Sequence, residues 1–118
     1  MSMAALSKLR KSLAGCEVAL LVDLPTGTCL LSSQAIQHDQ DRLEKLCAET
    51  ALFLGLEGTS DPALCVVSGP LEITAFARLA LDQPEALSLV FAPSAELNNL
   101  GSRVFSFLNL QAFGGEVV

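Results

Sequence analysis

The sequence contains no tryptophan, no tyrosine and a single histidine, and its seven basic residues face thirteen acidic ones. Each shortage excludes a class of chemistry. Phenylalanine is the only aromatic, and the phenylalanines do not interleave with Arg or Lys. Three of the basic residues fall in Lys8-Leu9-Arg10-Lys11, so no basic stripe follows a phosphate backbone and no nucleic-acid partner is expected. A net charge of −6 opposes an anionic bilayer surface. No apolar run approaches the roughly 20 residues that span a membrane, and the longest, such as Val18 to Val22, are strand-sized, so no membrane insertion is expected. Leu13-Ala14-Gly15-Cys16 resembles the box at which bacterial lipoproteins are cleaved and acylated. The preceding Ser7 to Ser12 is too polar for the apolar region such a signal needs, and the match is read as chance.

Catalytic sets are missing in the same way. Cys16, Cys29, Cys47 and Cys65 form no C-x-x-C pair, and His38 stands alone, so no metal site is expected. His38 reads as a solvated loop residue. A cysteine nucleophile needs a base, and Cys29, Cys47 and Cys65 lie in apolar contexts that disfavour a thiolate. Reduced, mostly buried thiols in a cytoplasmic protein are expected. Pro25-Thr26-Gly27-Thr28 has one glycine, no lysine and a strand behind it. It cannot wrap a phosphate as a Walker loop does and reads as a hairpin turn. G-x-G-x-x-G and G-x-S-x-G are absent. Asp39/Asp41 and Glu44/Glu49 sit at a helix start or on its polar face, as solvated charges do, and Arg78 and Arg103 are isolated. No catalytic residue and no cofactor site is expected, and the chain reads as a non-enzyme.

Apolar residues, by contrast, make up 51% of the 118 residues and charged residues only 17%. A single domain of this size must leave much of its surface in water. The excess points to a face buried against a partner, most simply a second copy.

The pattern along the chain gives the order α-β-β-α-β-β-β-α. Met3 to Ala14 reads as a helix with Leu6, Leu9 and Leu13 on one face, stopped by Gly15. Val18 to Leu24 and Leu87 to Ala92 are apolar on both alternating sets and so should lie centrally in a sheet. Cys29 to Ser33 and Ala63 to Ser68 are further strands. Leu71 to Leu81 alternates, with Glu72, Thr74, Phe76 and Arg78 forming a second, more polar face. Asp39-Gln40-Asp41 opens a helix to about Leu56. Leu43, Leu46, Cys47, Thr50, Phe53 and Leu54 mark its core face, while Ala48, Ala51, Leu52 and Gly55 make the opposite side small or apolar. Ser94 is placed to cap a last helix from about Ala95 to Leu110, followed by a frayed tail. Five strands and three helices make an α+β domain, one sheet with helices on both faces.

With this order, the stretches Val18-Ala-Leu-Leu-Val-Asp23, Gly27 leading into Leu30-Leu31-Ser32-Ser33, Glu72-Ile-Thr-Ala-Phe-Ala-Arg78 and Leu87-Ser-Leu-Val-Phe-Ala-Pro93 resemble the dynein light-chain roadblock family. That family includes bacterial and archaeal regulators of Ras-like GTPases. The resemblance covers roughly Leu6 to Leu110. It implies a single antiparallel sheet of order 2-1-5-4-3, a homodimer joined through the third strands and middle helices, and a small GTPase as partner. It would bring Leu64, Cys65, Val66 and Val67 to the seam, with Ala48, Ala51, Leu52 and Gly55 from the middle helix, and Gly69-Pro70 would shorten the third strand. By position, Arg42, Glu44, Lys45 and Glu49 would meet the GTPase. A type III secretion chaperone and a small-molecule sensor of profilin-like shape are the competing readings. The chaperones usually place three strands before the middle helix, where this chain offers two.

Overall fold

The computed structural model describes residues 2–55, 63–78 and 84–112. In chain order these form α1 (Met3–Ser12), β1 (Cys16–Asp23), β2 (Thr28–Gln34), α2 (Gln40–Gly55), β3 (Ala63–Ser68), β4 (Ile73–Arg78), β5 (Glu85–Phe91) and α3 (Leu100–Ala112). The strands make one antiparallel sheet of order β2-β1-β5-β4-β3. The expected loop at Gly58–Pro62, residues 79–81 of the expected fourth strand, Asp82 and Gln83 of the hairpin loop and the tail beyond Ala112 lie outside the described residues.

The helix boundaries follow local chemistry. The Ser2 side chain accepts the Ala5 N–H and caps α1. Gly15, at φ +80°, then turns the chain into β1. A Cβ there would come within 2.7 Å of the Ala95 Cβ, so the turn also needs the bare backbone. Asp39 Oδ1 accepts the Arg42 N–H and starts α2.

Two apolar layers flank the sheet. On one side Leu6, Leu9 and Leu13 from α1, and Leu100, Val104 and Leu108 from α3, cover Ala19, Leu21, Ala75, Leu87, Leu89 and Phe91. On the other, Leu43, Leu46 and Cys47 of α2 cover Val18, Leu20, Val22 and Val90. Toward its C-terminal end α2 sets Leu54 against Phe76 and Ala86.

Two expectations are corrected. β4 has no polar face: every residue from Ile73 to Arg78 is buried, because α1 and α3 cover one side of the sheet and α2 the other. Thr74 and Arg78 are therefore core residues, and Arg78 is only 1% exposed. The last helix starts at Leu100, not near Ala95. Asn99 adopts φ 60°, which a continuing right-handed helix excludes, and turns at residues 93–94 and 98–99 flank an irregular stretch instead.

Candidate partner-binding surface

The sheet has two margins, and they differ. Between β1 and β2 the register slips after Leu21, so that Leu30 has no opposite residue, and this bulge twists the β2 margin. Arg10 Nε donates to Ser33 Oγ from α1 at 2.9 Å, and Ser7 shares a hydrogen bond with the same hydroxyl. The β3 margin carries no such device. Its register with β4 is unbroken from Ala63 to Ser68, and it holds neither charge nor proline. Gly69 N–H closes a turn to the Glu72 carbonyl, so Gly69-Pro70 ends the strand after six paired residues rather than cutting into it.

Leu64, Val66 and Val67 are exposed on this margin, Val67 at 44%, and Cys65 is half-buried toward Leu54 and Phe76. Their backbones have one neighbour, β4, and face open space on the other side among the described residues. A flat, uncharged edge with apolar side chains is a template for another strand.

The flanks of α2 settle which of its residues stand near that margin. Phe53 stacks on Phe76 of β4, with ring centroids 5.3 Å apart at 20°. Arg42 pairs with Glu72, the residue before β4. This flank, on the β3 side, therefore carries Arg42, Glu49 and Phe53, which are spaced by helical repeats. Ala51 lies on the other flank, 3.8 Å from where a Cβ on Gly27 would be. Glu44 lines a cavity there with Gly27, Thr28, Cys29, Gln40 and Cys47. Ala48, exposed and one turn from Glu44, Lys45, Ala51 and Leu52, lies on the outer face of α2. Phe53, 40% exposed, is the apolar α2 side chain beside the β3 margin, and Leu52, 57% exposed, lies on the outer face of α2, one turn from Ala48 and two from Lys45. Gly55 is the last residue of α2. Leu52 and Phe53 show as apolar in sequence, but the helical repeat does not say which flank faces the sheet margin.

Of the residues expected to meet a partner by position, Glu44 and Lys45 are exposed and Glu49 is half-buried. Arg42 is engaged by Glu72, with both side chains partly in solvent. His38 is half-buried rather than solvated. Its backbone N–H donates to Gln34 Oε1, and Nε2 is shielded with no partner among the described residues.

Three thiols, Cys16, Cys29 and Cys47, are held protonated. Burial pushes Cys16 up to about 12. Burial does the same for Cys47, with Cys29 and Glu44 adding to it, again to about 12. Cys29, expected in an apolar setting, is exposed because β2 is a margin strand, yet it too is raised, first by burial of its sulfur. A protonated thiol is a poor nucleophile. The fold holds these protons above the ordinary value of 9.0. The folded state thus binds more protons than the unfolded chain between about 9 and 12, and stability falls as pH rises through that window. Denaturant melts at pH 8 and pH 10 should show the loss, and Cys16→Ala should reduce the difference between them. Iodoacetamide at pH 8 should leave Cys16 and Cys47 unmodified until denaturant is added.

Among the described residues no three His, Cys, Asp or Glu side chains group to hold a metal ion, and no helix is long and apolar enough to cross a membrane.

The sheet order, the helix layers and the bare β3 margin define a roadblock-type fold. Solved structures agree. A Roadblock/LC7 domain from Streptomyces avermitilis matches with a TM-score of 0.73 at 12% identity, over 95% of this chain and 96% of that one. Myxococcus xanthus MglB matches at 0.71 and 17% identity, over 98% and 95%. The gliding protein MglB from Thermus thermophilus matches at 0.68 and 20% identity, over 89% and 83%. No protein-family model and no curated protein matches the sequence, so the likeness is one of fold.

Proposed function

We propose that the chain is a non-enzymatic, homodimeric scaffold that binds a small Ras-like GTPase. The observation that carries this reading is the β3 margin: six residues of unbroken, uncharged edge, with Phe53 beside it on the adjoining flank of α2. Pairing β3 with its twin would satisfy the open backbone groups and cover these side chains in one step. Cys65 lies on the same strand, and Ala51 stands on the other flank of α2.

The partner class rests on the likeness of fold to MglB and Roadblock/LC7 structures, joined to the sequence resemblance. In this reading Glu44 and Lys45, exposed on the outer side of α2, meet the GTPase, with Glu49 beside them. Arg42 sets the α2 start against β4 through Glu72. Two adjacent charges of opposite sign steer a partner more than they hold it.

The test is binding to a panel of Ras-like GTPases loaded with GDP or with a non-hydrolysable GTP analogue. Wild type should bind one nucleotide state preferentially, and Glu44→Lys/Lys45→Glu should weaken that binding by about tenfold, near 1.4 kcal/mol. Affinity capture from the native cell that recovers the N-terminal segment of a secreted effector, and no GTPase, would overturn the reading in favour of a secretion chaperone.

A further inference from the structure

The helical layer on the far side of the sheet from α2 carries charge of one sign. Lys8, Arg10 and Lys11 on α1 and Arg103 on α3 are four of the chain's seven basic residues. Neither helix contains Asp or Glu, although the whole chain has a net charge of −6. Such segregation creates a local positive field on an otherwise acidic molecule.

A groove of about 800 Å3 runs between these two helices. Ala5 and Leu9 of α1 and Phe107 of α3 give it an apolar surface, serine hydroxyls lie along it, and Lys8 and Arg103 stand at its sides. Both cations are exposed. Arg103 is held in place by a hydrogen bond from Nη1 to the Ser12 carbonyl, 3.1 Å long, at the end of α1. Glu96 is the one carboxylate lining either this groove or the cavity that adjoins it at Arg103, among the described residues.

We propose that this groove docks an acidic amphipathic helix of a partner protein. A helix laid between two helices presents apolar residues at i, i+3 or i+4 and i+7 to the groove and its flanking residues to the walls. Here the walls are cationic, so the matching flanks are Asp and Glu. The concave shape favours a helix over a bilayer, whose flat surface would meet Lys8 and Lys11 without reaching Leu9. The site is on the opposite face of the sheet from Glu44 and Lys45 and does not rest on the GTPase reading.

The test is panning of a displayed library of random peptides, each about 16 residues long and so over four helical turns. Wild type is the target, and the Lys8→Glu/Arg103→Glu variant is the counter-target. Both substituted side chains are exposed, and circular dichroism melts confirm that the variant folds. Enriched peptides should place Leu, Ile or Phe at helical spacing between acidic residues. A synthetic enriched peptide should bind wild type at least about tenfold more tightly than the charge-reversed variant, and more weakly as salt rises. Ser106→Trp, which fills the groove from an exposed position and keeps its charge, should abolish that binding. Four results would overturn the proposal. They are no enrichment over the counter-target, peptide binding unaffected by Ser106→Trp, binding seen only once residues 113–118 are removed, and binding to vesicles of phosphatidylserine and phosphatidylcholine without any peptide binding. The third would make the chain's own end the occupant, and the fourth a membrane surface.

Discussion

Val66→Lys is expected to leave the chain a monomer at concentrations where the wild type is expected to dimerise. Val66 lies on the β3 margin, 42% exposed in the single chain, so its replacement removes little from the folded monomer. In the proposed dimer the same position would be covered. A lysine there would lose its water without gaining a partner, and its twin would bring a second like charge to the same seam. The dimer dissociation constant should rise by about a hundredfold or more, near 2.7 kcal/mol. Sedimentation over a concentration series reads this directly. The wild type should tend toward twice the chain mass of 12.4 kDa, and the variant should stay at that mass with unchanged circular dichroism.

Phe76→Ala should cost the fold itself. The ring is fully buried on the α2 side of β4, among Leu54, Ala86 and the stacked Phe53. Truncation removes the transfer energy of the ring and leaves a cavity between a strand and a helix, which together amount to about 3–5 kcal/mol. Against a whole-domain stability of about 5–15 kcal/mol, the variant should melt well over ten degrees lower, or fail to fold at body temperature. Phe53→Ala separates the two roles of this aromatic pair. Phe53 is 40% exposed, so its loss should cost the monomer about 1 kcal/mol or less while weakening the dimer clearly. Equal stability losses in the two variants, measured by urea melts, would contradict the assignment of Phe53 to the seam.

Much of this fold is legible in the sequence because burial on two faces leaves a mark. Val18 to Val22 and Leu87 to Phe91 are apolar at nearly every position on both faces, and both strands lie in the middle of the sheet. Their order beside β2, β4 and β3 follows from the resemblance to a known family, since periodicity alone does not say which strands are neighbours. β4 shows the limit of alternation. Thr74 and Arg78 look like a solvent face, but α2 lies across them, and no pattern within six residues reports a helix packed from elsewhere in the chain. The start of α3 is obscured for a local reason. Ser94 makes a plausible cap, yet Asn99 takes a left-handed conformation and delays the helix to Leu100.

The candidate surface is legible in the same partial way. Leu64, Val66 and Val67 stand out as an uncharged strand, and they are exposed at a sheet margin. The flank of the helix that accompanies them cannot be read from its periodicity. A helical repeat groups Ala48 with Ala51 and Glu49 with Phe53, but which group faces β3 depends on how α2 crosses the sheet. The contacts of Phe53 with Phe76 and of Arg42 with Glu72 decide it. The basic layer of α1 and α3 is hidden by a net charge that sums over faces pointing in opposite directions.

Amide hydrogen exchange along Leu64 to Ser68 tests most directly whether the β3 margin is covered by its twin. β4 can protect only the amides that point toward it. If the twin strand pairs there, the remaining amides are also protected at tens of micromolar protein, and Val66→Lys exposes them while β1 and β5 stay protected. Outward amides of wild-type β3 that exchange as fast as those of Val66→Lys, with the central strands protected in both, would contradict it.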